Sequence, residues 1–135
     1  MNKKFLTCRL AFGLLILSML ISCSNGVSSD SDGSISIDEF ARLTEDPKYQ
    51  ILDVRTEQEF RAGHIHGALN LDVKTDGFGK HAASMLDKTR PVLVYCHLGQ
   101  RSKIAMDILK DMGYEAYNVK DGIINWTGKI DSGLE

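Results

Sequence analysis

The chain has 135 residues, 43% hydrophobic and 25% charged, with a net charge of −2; this is the size of one domain and an ordinary globular mix, which excludes whole-chain disorder and fibrous repeats. Beyond residue 22, thirteen Lys and Arg face eighteen Asp and Glu, a net charge of −5. A nucleic-acid binder needs the opposite balance, so nucleic acid is set aside as a partner.

Residues 1–22 read as a targeting segment. Lys3, Lys4 and Arg9 precede a 12-residue apolar stretch, Leu10 to Ile21, followed by the small residues Ser22, Cys23 and Ser24. That is a secretory signal peptide in outline. A spanning helix needs about 20 residues to cross a hydrocarbon core of about 30 Å, so the stretch is too short for a permanent anchor. Leu20-Ile21-Ser22-Cys23 also resembles the lipobox of bacterial lipoproteins. The resemblance implies that Cys23 is acylated, becomes the first mature residue and ties an exported protein to the cell envelope, on its periplasmic face or surface. The competing reading is an ordinary secreted protein in which Cys23 is incidental. Residues 24–34, SNGVSSDSDGS, are too polar to offset their ordering entropy, so 23–34 is expected to be a flexible tether and 35–135 the folded domain. With Cys8 in the signal and Cys23 lipidated, Cys96 is the domain's one thiol. It forms no internal disulfide and is either buried and inert or reactive.

Ser36-Ile37-Asp38-Glu39 is a capping-box pattern that predicts a short helix to about Leu43, with Phe40 and Leu43 facing inward; Pro47 ends the segment. Tyr49 to Val54 has the length of a buried strand. Thr56-Glu57-Gln58-Glu59 opens a second helix ending near Gly63. Ala68 to Leu71 reads as a strand, Phe78 to Leu86 as a weak helix, and Val92 to Tyr95 as the clearest buried strand. After the loop Cys96 to Arg101, a helix is expected from near Ser102, with Ile104, Ala105, Ile108, Leu109 and Met112 on its apolar face, stopping at Gly113. Glu115 to Val119 is a further strand, and Ile123 to Thr127 a short closing helix. Strands alternating with helices imply an α/β fold, about five-stranded and mostly parallel, with helices on both faces.

In such a sheet, ligands collect beyond the carboxyl ends of the strands, where loops lead into helix N-termini. Cys96 stands at that position. The backbone N–H groups of His97-Leu98-Gly99-Gln100 can converge on its sulfur, with Gly99 relieving backbone strain, and Arg101 adds a positive charge. These features favour thiolate over thiol, so Cys96 is read as a nucleophile.

Here the residues resemble the rhodaneses, or thiosulfate sulfurtransferase-like domains, over roughly residues 35–130. The resemblance is carried by Leu52-Asp53-Val54-Arg55 with Glu59-Phe60, by Gly63-His64-Ile65-His66-Gly67-Ala68-Leu69-Asn70, by Cys96-His97-Leu98-Gly99-Gln100-Arg101-Ser102, and by Trp126. It implies a rhodanese-like fold in which Cys96 is the active-site cysteine and Arg101 the loop-closing arginine, with His97, Leu98, Gly99, Gln100 and Ser102 forming the substrate cradle. The family's usual Gly-Gly before the final helix is here Asp121-Gly122, and its common basic residue after the cysteine is here His97. The implied reaction is a double displacement. Cys96 takes the outer sulfur of a small anionic donor such as thiosulfate, and the resulting persulfide passes it to a thiol or cyanide, with no metal or organic cofactor.

Each residue also has a plainer role. Asp53 and Arg55 are expected to support the site, Arg55 meeting Glu59 and Asp53 accepting loop amides. His64 and His66 have a metal-like spacing without an evident third ligand, so no metal site is assigned. His97 either assists the thiolate or points outward. Two other functions compete: a Cys phosphatase or arsenate reductase, and a non-enzymatic module that carries sulfur or binds a partner. The first places five residues between Cys and Arg, whereas four stand between Cys96 and Arg101.

Overall fold

The computed structural model describes residues 26–133. The expected signal peptide and the expected lipidation of Cys23 fall on residues outside those described. No described helix is long and apolar enough to cross a membrane.

Strand β1 (Ser34–Ile35) leads into helix α1 (Ile37–Thr44), whose first turn is capped by Ser36 Oγ accepting from Glu39 N at 3.1 Å. The expected reciprocal half of that box does not form. The Glu39 carboxylate is taken instead by Arg42, at 2.7 and 2.9 Å, and by the Ser28 amide. Ser34, counted with the tether in the sequence, is the first residue of β1 and is buried.

Strand β2 (Gln50–Asp53) is followed by helix α2 (Glu57–Ala62), where Thr56 and Glu59 close a complete capping box. Next come β3 (His64–Ile65), β4 (Leu69–Asn70) and helix α3 (Phe78–Met85). Strand β5 (Val92–Tyr95) feeds helix α4 (Gln100–Asp111), which leads to β6 (Ala116–Val119), a 3₁₀ turn at Gly122–Asn125 and β7 (Ile130–Asp131). The closing helix expected at Ile123 is thus a single tight turn. The pair β3 and β7 forms an antiparallel ribbon that two-residue strands left invisible in the hydropathy pattern.

The main sheet runs β1-β6-β5-β2-β4, parallel at every pairing. Strand β5 lies at its centre with all four side chains fully buried, as expected of a strand covered on both faces. Its residues alternate: Val92 and Val94, continued by Cys96, pack with Phe78 and Ala82 of α3 and Ala105, Met106 and Leu109 of α4. Leu93 and Tyr95 pack with Phe40 and Leu43 of α1 on the other face. Burial of each such aliphatic side chain contributes about 1.5–3 kcal/mol, so β5 anchors whatever follows its carboxyl end. The buried stripe of α4 is Ser102, Ala105, Met106 and Leu109. It is rotated from the expected face, leaving Ile104 57% exposed and placing Met106 inside.

Candidate active site

Cys96 leaves β5 at the central carboxyl edge of the sheet and is 1% exposed. Gly99, at φ +89°, caps α4 and starts the helix at Gln100, two residues earlier than expected, so Arg101 and Ser102 occupy its first turn. A side chain at Gly99 would meet the backbone at Asp121 N, 3.1 Å from its Cβ, besides adopting a left-handed conformation. The loop is therefore compact. Gly99 N donates to Cys96 Sγ at 3.1 Å, and Ser102 Oγ lies 3.3 Å from the same sulfur. Burial disfavours a charge there, but hydrogen bonds from the Ser102 hydroxyl and from the amides of Ser102, Leu98 and Gly99 outweigh it, holding the thiol below its ordinary pKa.

Above the sulfur lies a cavity of about 130 Å³ lined by Cys96, His97, Leu98, Gln100 and Arg101. His97, Leu98 and Gln100 are exposed at its rim; Leu98 thus offers its amide inward and an apolar side chain, 53% exposed, to the mouth. The structure accordingly brings the expected cradle residues together around Cys96, in two layers: amides and the Ser102 hydroxyl at the sulfur, side chains at the opening.

Arg101 is held by Glu59 in a two-pronged pair, Nη1 to Oε2 and Nη2 to Oε1, both at 2.8 Å. The expected partner of Glu59 was Arg55. The capping box decides otherwise: Thr56 N and Oγ1 each hold Glu59 Oε2 at 3.0 Å, fixing the carboxylate at the N-terminal end of α2, where Arg101 reaches it. Hydrogen bonds from Arg101, with those from Thr56, bring the Glu59 carboxyl down to about 2 despite partial burial. The guanidinium is raised above its ordinary value chiefly by Glu59, with the charges of Cys96 and Asp72 adding to it.

Arg55 turns to Asp53, donating to its carboxylate at 2.6 and 3.0 Å, and to Gly63 O at 2.7 Å. Asp53 also accepts the Arg55 amide at 2.9 Å, and Asn70 Nδ2 bridges the two backbone carbonyls at 3.0 Å. This node supports the neighbouring strand end. The two histidines with metal-like spacing are engaged separately: His64 is buried, stacked on Phe60 and bonded to Phe60 O, while exposed His66 pairs with Asp131. Trp126 packs edge-on against Phe40, in the cluster that Leu93 and Tyr95 form with α1.

Two contributors had no site role in the sequence reading, which placed Gly122 only in the turn before the final helix and did not single out Asn118. Gly122 is the floor of the Cys96 loop: at φ +60°, a Cβ there would lie 2.3 Å from His97 O and 2.6 Å from Cys96 O, and the next amide, Ile123 N, donates to Cys96 O at 2.9 Å. The available signal was its place in Asp121-Gly122, where the resembling family has Gly-Gly, and Asp121 itself takes a left-handed φ of 70°. Asn118, on β6, accepts from Ser102 Oγ at 2.6 Å, and no spacing pattern linked the two.

The model of the rhodanese-like domain matches residues 36–129, and the chain belongs to that family. The thiosulfate sulfurtransferase GlpE of Shewanella oneidensis is 31% identical over 93 residues, 68% of this chain and 89% of that protein. YrkF of Bacillus subtilis, whose name proposes a sulfur carrier, is 30% identical over 106 residues, and the match covers 77% of this chain but 56% of YrkF. The crystal structure of a rhodanese-like domain protein from Staphylococcus aureus superposes with a TM-score of 0.65 at 27% identity, over 75% of this chain and 98% of that one.

Proposed function

We propose that this protein is a sulfurtransferase that moves a sulfane sulfur from a donor such as thiosulfate to a thiol or cyanide through a persulfide on Cys96. The observation that carries the reading is the Cys96 sulfur, ringed by the amides of Leu98, Gly99 and Ser102 at the base of a cavity large enough for a small anion. The thiolate attacks the donor's outer sulfur; the sulfur–sulfur bond of the donor breaks and its electron pair departs with sulfite. The amides then face the anionic persulfide, a fixed array of donors aimed at developing charge. Arg101, pinned by Glu59, holds a positive charge at the cavity wall without wandering into it.

A phosphoryl group brings three peripheral oxygens and needs a wider ring than four residues between Cys96 and Arg101 supply. The test is steady-state kinetics with thiosulfate and cyanide, expected to be ping-pong, alongside an aryl phosphate, expected to show no turnover. Phosphatase turnover with no sulfur transfer would reverse the assignment. We also propose that the protein is exported and anchored by an acylated Cys23. Cys23→Ala should leave uncleaved precursor, and wild-type protein recovered without a lipid mass would overturn the anchor.

A further inference from the structure

Behind Cys96, away from the cavity, a chain of side chains runs from the sulfur to the surface. Ser102 Oγ lies 3.3 Å from Cys96 Sγ and donates to Asn118 Oδ1 at 2.6 Å. Asn118 Nδ2 donates to Ser34 Oγ at 3.2 Å, and the Ser34 hydroxyl donates to Asp32 Oδ2 at 3.1 Å. The first three are sealed from solvent, Ser102 at 0%, Asn118 at 4% and Ser34 at 5% exposure.

The proton count along this chain is fixed from its outer end. An ionised carboxylate only accepts, so Ser34 must spend its one proton on Asp32 and offers Asn118 a lone pair. Asn118 must therefore turn its amino group to Ser34 and its carbonyl to Ser102. Ser102 also has one hydroxyl proton, with two acceptors for it when Cys96 is ionised: Asn118 Oδ1 and Sγ. It cannot serve both.

We propose that the Ser102 hydroxyl is a two-position donor, turned to Sγ when Cys96 is a thiolate and returned to Asn118 when Sγ is protonated or carries a second sulfur. Ser102 is then a catalytic residue and Asn118 the positioning residue that receives it. The inference rests on the sulfur-transfer reading above. As Sγ forms its bond to the donor's outer sulfur, and the donor's remaining fragment leaves with the electron pair of the broken bond, the charge moves from Sγ to the outer sulfur in the cavity. Divalent Sγ is a weak acceptor, and Asn118 takes the hydroxyl back. When the acceptor removes the outer sulfur, charge returns to Sγ and the hydroxyl swings forward again. Both resting forms of the cycle keep this buried proton bonded, and the thiolate form does so by leaving Asn118 Oδ1 without it.

Titratable and charged groups around Cys96 come from each packed element: Arg101 of α4 with Glu59 of α2 behind it, Asp72 after β4, Lys120 and Asp121 beside Gly99, His97 in the loop and Asp32 at the far end of the hydrogen-bonded chain. Lys120 is paired with Asp30. The test uses charge-neutral substitutions that leave all of these in place. On the full chain, the rate of Cys96 alkylation by iodoacetamide is followed against pH by mass spectrometry of its peptide. Ser102→Ala removes the donor and should raise the midpoint by about one pH unit, a tenfold loss of thiolate below it. Asn118→Leu removes the competing acceptor and should lower the midpoint. Ser34→Ala, which frees the Asn118 amide to turn over, should lower it by less and serves if Asn118→Leu does not fold. An unchanged or raised midpoint in the Asn118 and Ser34 variants would overturn the proposal, as would a lowered one in Ser102→Ala. Alkylation needs no sulfur donor, so this outcome is decided separately from the failure of thiosulfate to load Cys96, which would overturn only the sulfur-transfer reading.

Discussion

Cys96 and the Asp53–Arg55 pair stand at the carboxyl ends of neighbouring parallel strands, β5 and β2, with Asp53 in register with Tyr95. Both places are buried and both are built to hold charge, yet they differ in how their hydrogen bonds close. Asp53 is answered from within: the guanidinium and amide of Arg55, two residues on, saturate it. Around Cys96, donors converge from the loop and α4, no carboxylate or guanidinium among the described residues bonds to the sulfur, and a cavity stands open above it. A polar cluster that closes on itself supports the sheet edge. One that surrounds an acceptor and leaves a face open can do chemistry.

Substitutions can break this contrast in order of severity. Cys96→Ser should reduce thiosulfate:cyanide transfer to background while thermal unfolding stays cooperative, since the side chain keeps its shape and loses its nucleophile; an assay and a melt of the same sample check both. Gly122→Ala should drive a methyl into the His97 carbonyl, displacing the amide ring. It should lower kcat/KM about 100-fold, as a misplacement near 1 Å does, and destabilise the fold by about 1–3 kcal/mol in urea unfolding. Asp53→Asn should do the reverse of Cys96→Ser: leaving buried Arg55 without its counter-charge costs about 3–5 kcal/mol of stability, while kcat of the folded fraction stays near wild type.

The mildest effect belongs to the pair that joins the two regions, Glu59 and Arg101. The folded-state pKa of Glu59 is brought down to about 2 from 4.5 by Arg101 and Thr56. A depressed carboxyl stabilises the fold above its unfolded pKa, and that contribution is lost as pH falls toward its folded value. Wild-type protein should therefore lose stability between about pH 4.5 and 2 more steeply than Glu59→Gln, read as the shift of urea midpoint across that window.

The order of elements, the central strand and the placement of Cys96, Arg101 and Ser102 in one loop and helix start were legible because they are local. Val92 to Tyr95 is a continuous apolar run, Thr56 and Glu59 spell a cap, and Cys96 to Ser102 is a contiguous segment. What was hidden depends on contacts far along the chain. Glu59 and Arg101 are 42 residues apart, and Ser34 and Asn118 are 84 apart. No periodicity reports such pairs. The expected Arg55 to Glu59 contact failed for a related reason: sequence proximity favoured it, whereas the direction imposed on Glu59 by its own capping box aimed it elsewhere. The role of Gly122 was hidden because a glycine that admits a neighbouring loop looks, in sequence, like a glycine that makes a turn.

The most direct test of the central claim is the intact mass of the purified protein after thiosulfate treatment, with the modified peptide identified. One sulfur atom added on Cys96, released again by cyanide and absent in Cys96→Ser, is the expected result. A protein that turns over thiosulfate with no sulfur on Cys96, or that carries the added sulfur equally well without that thiol, would contradict the account.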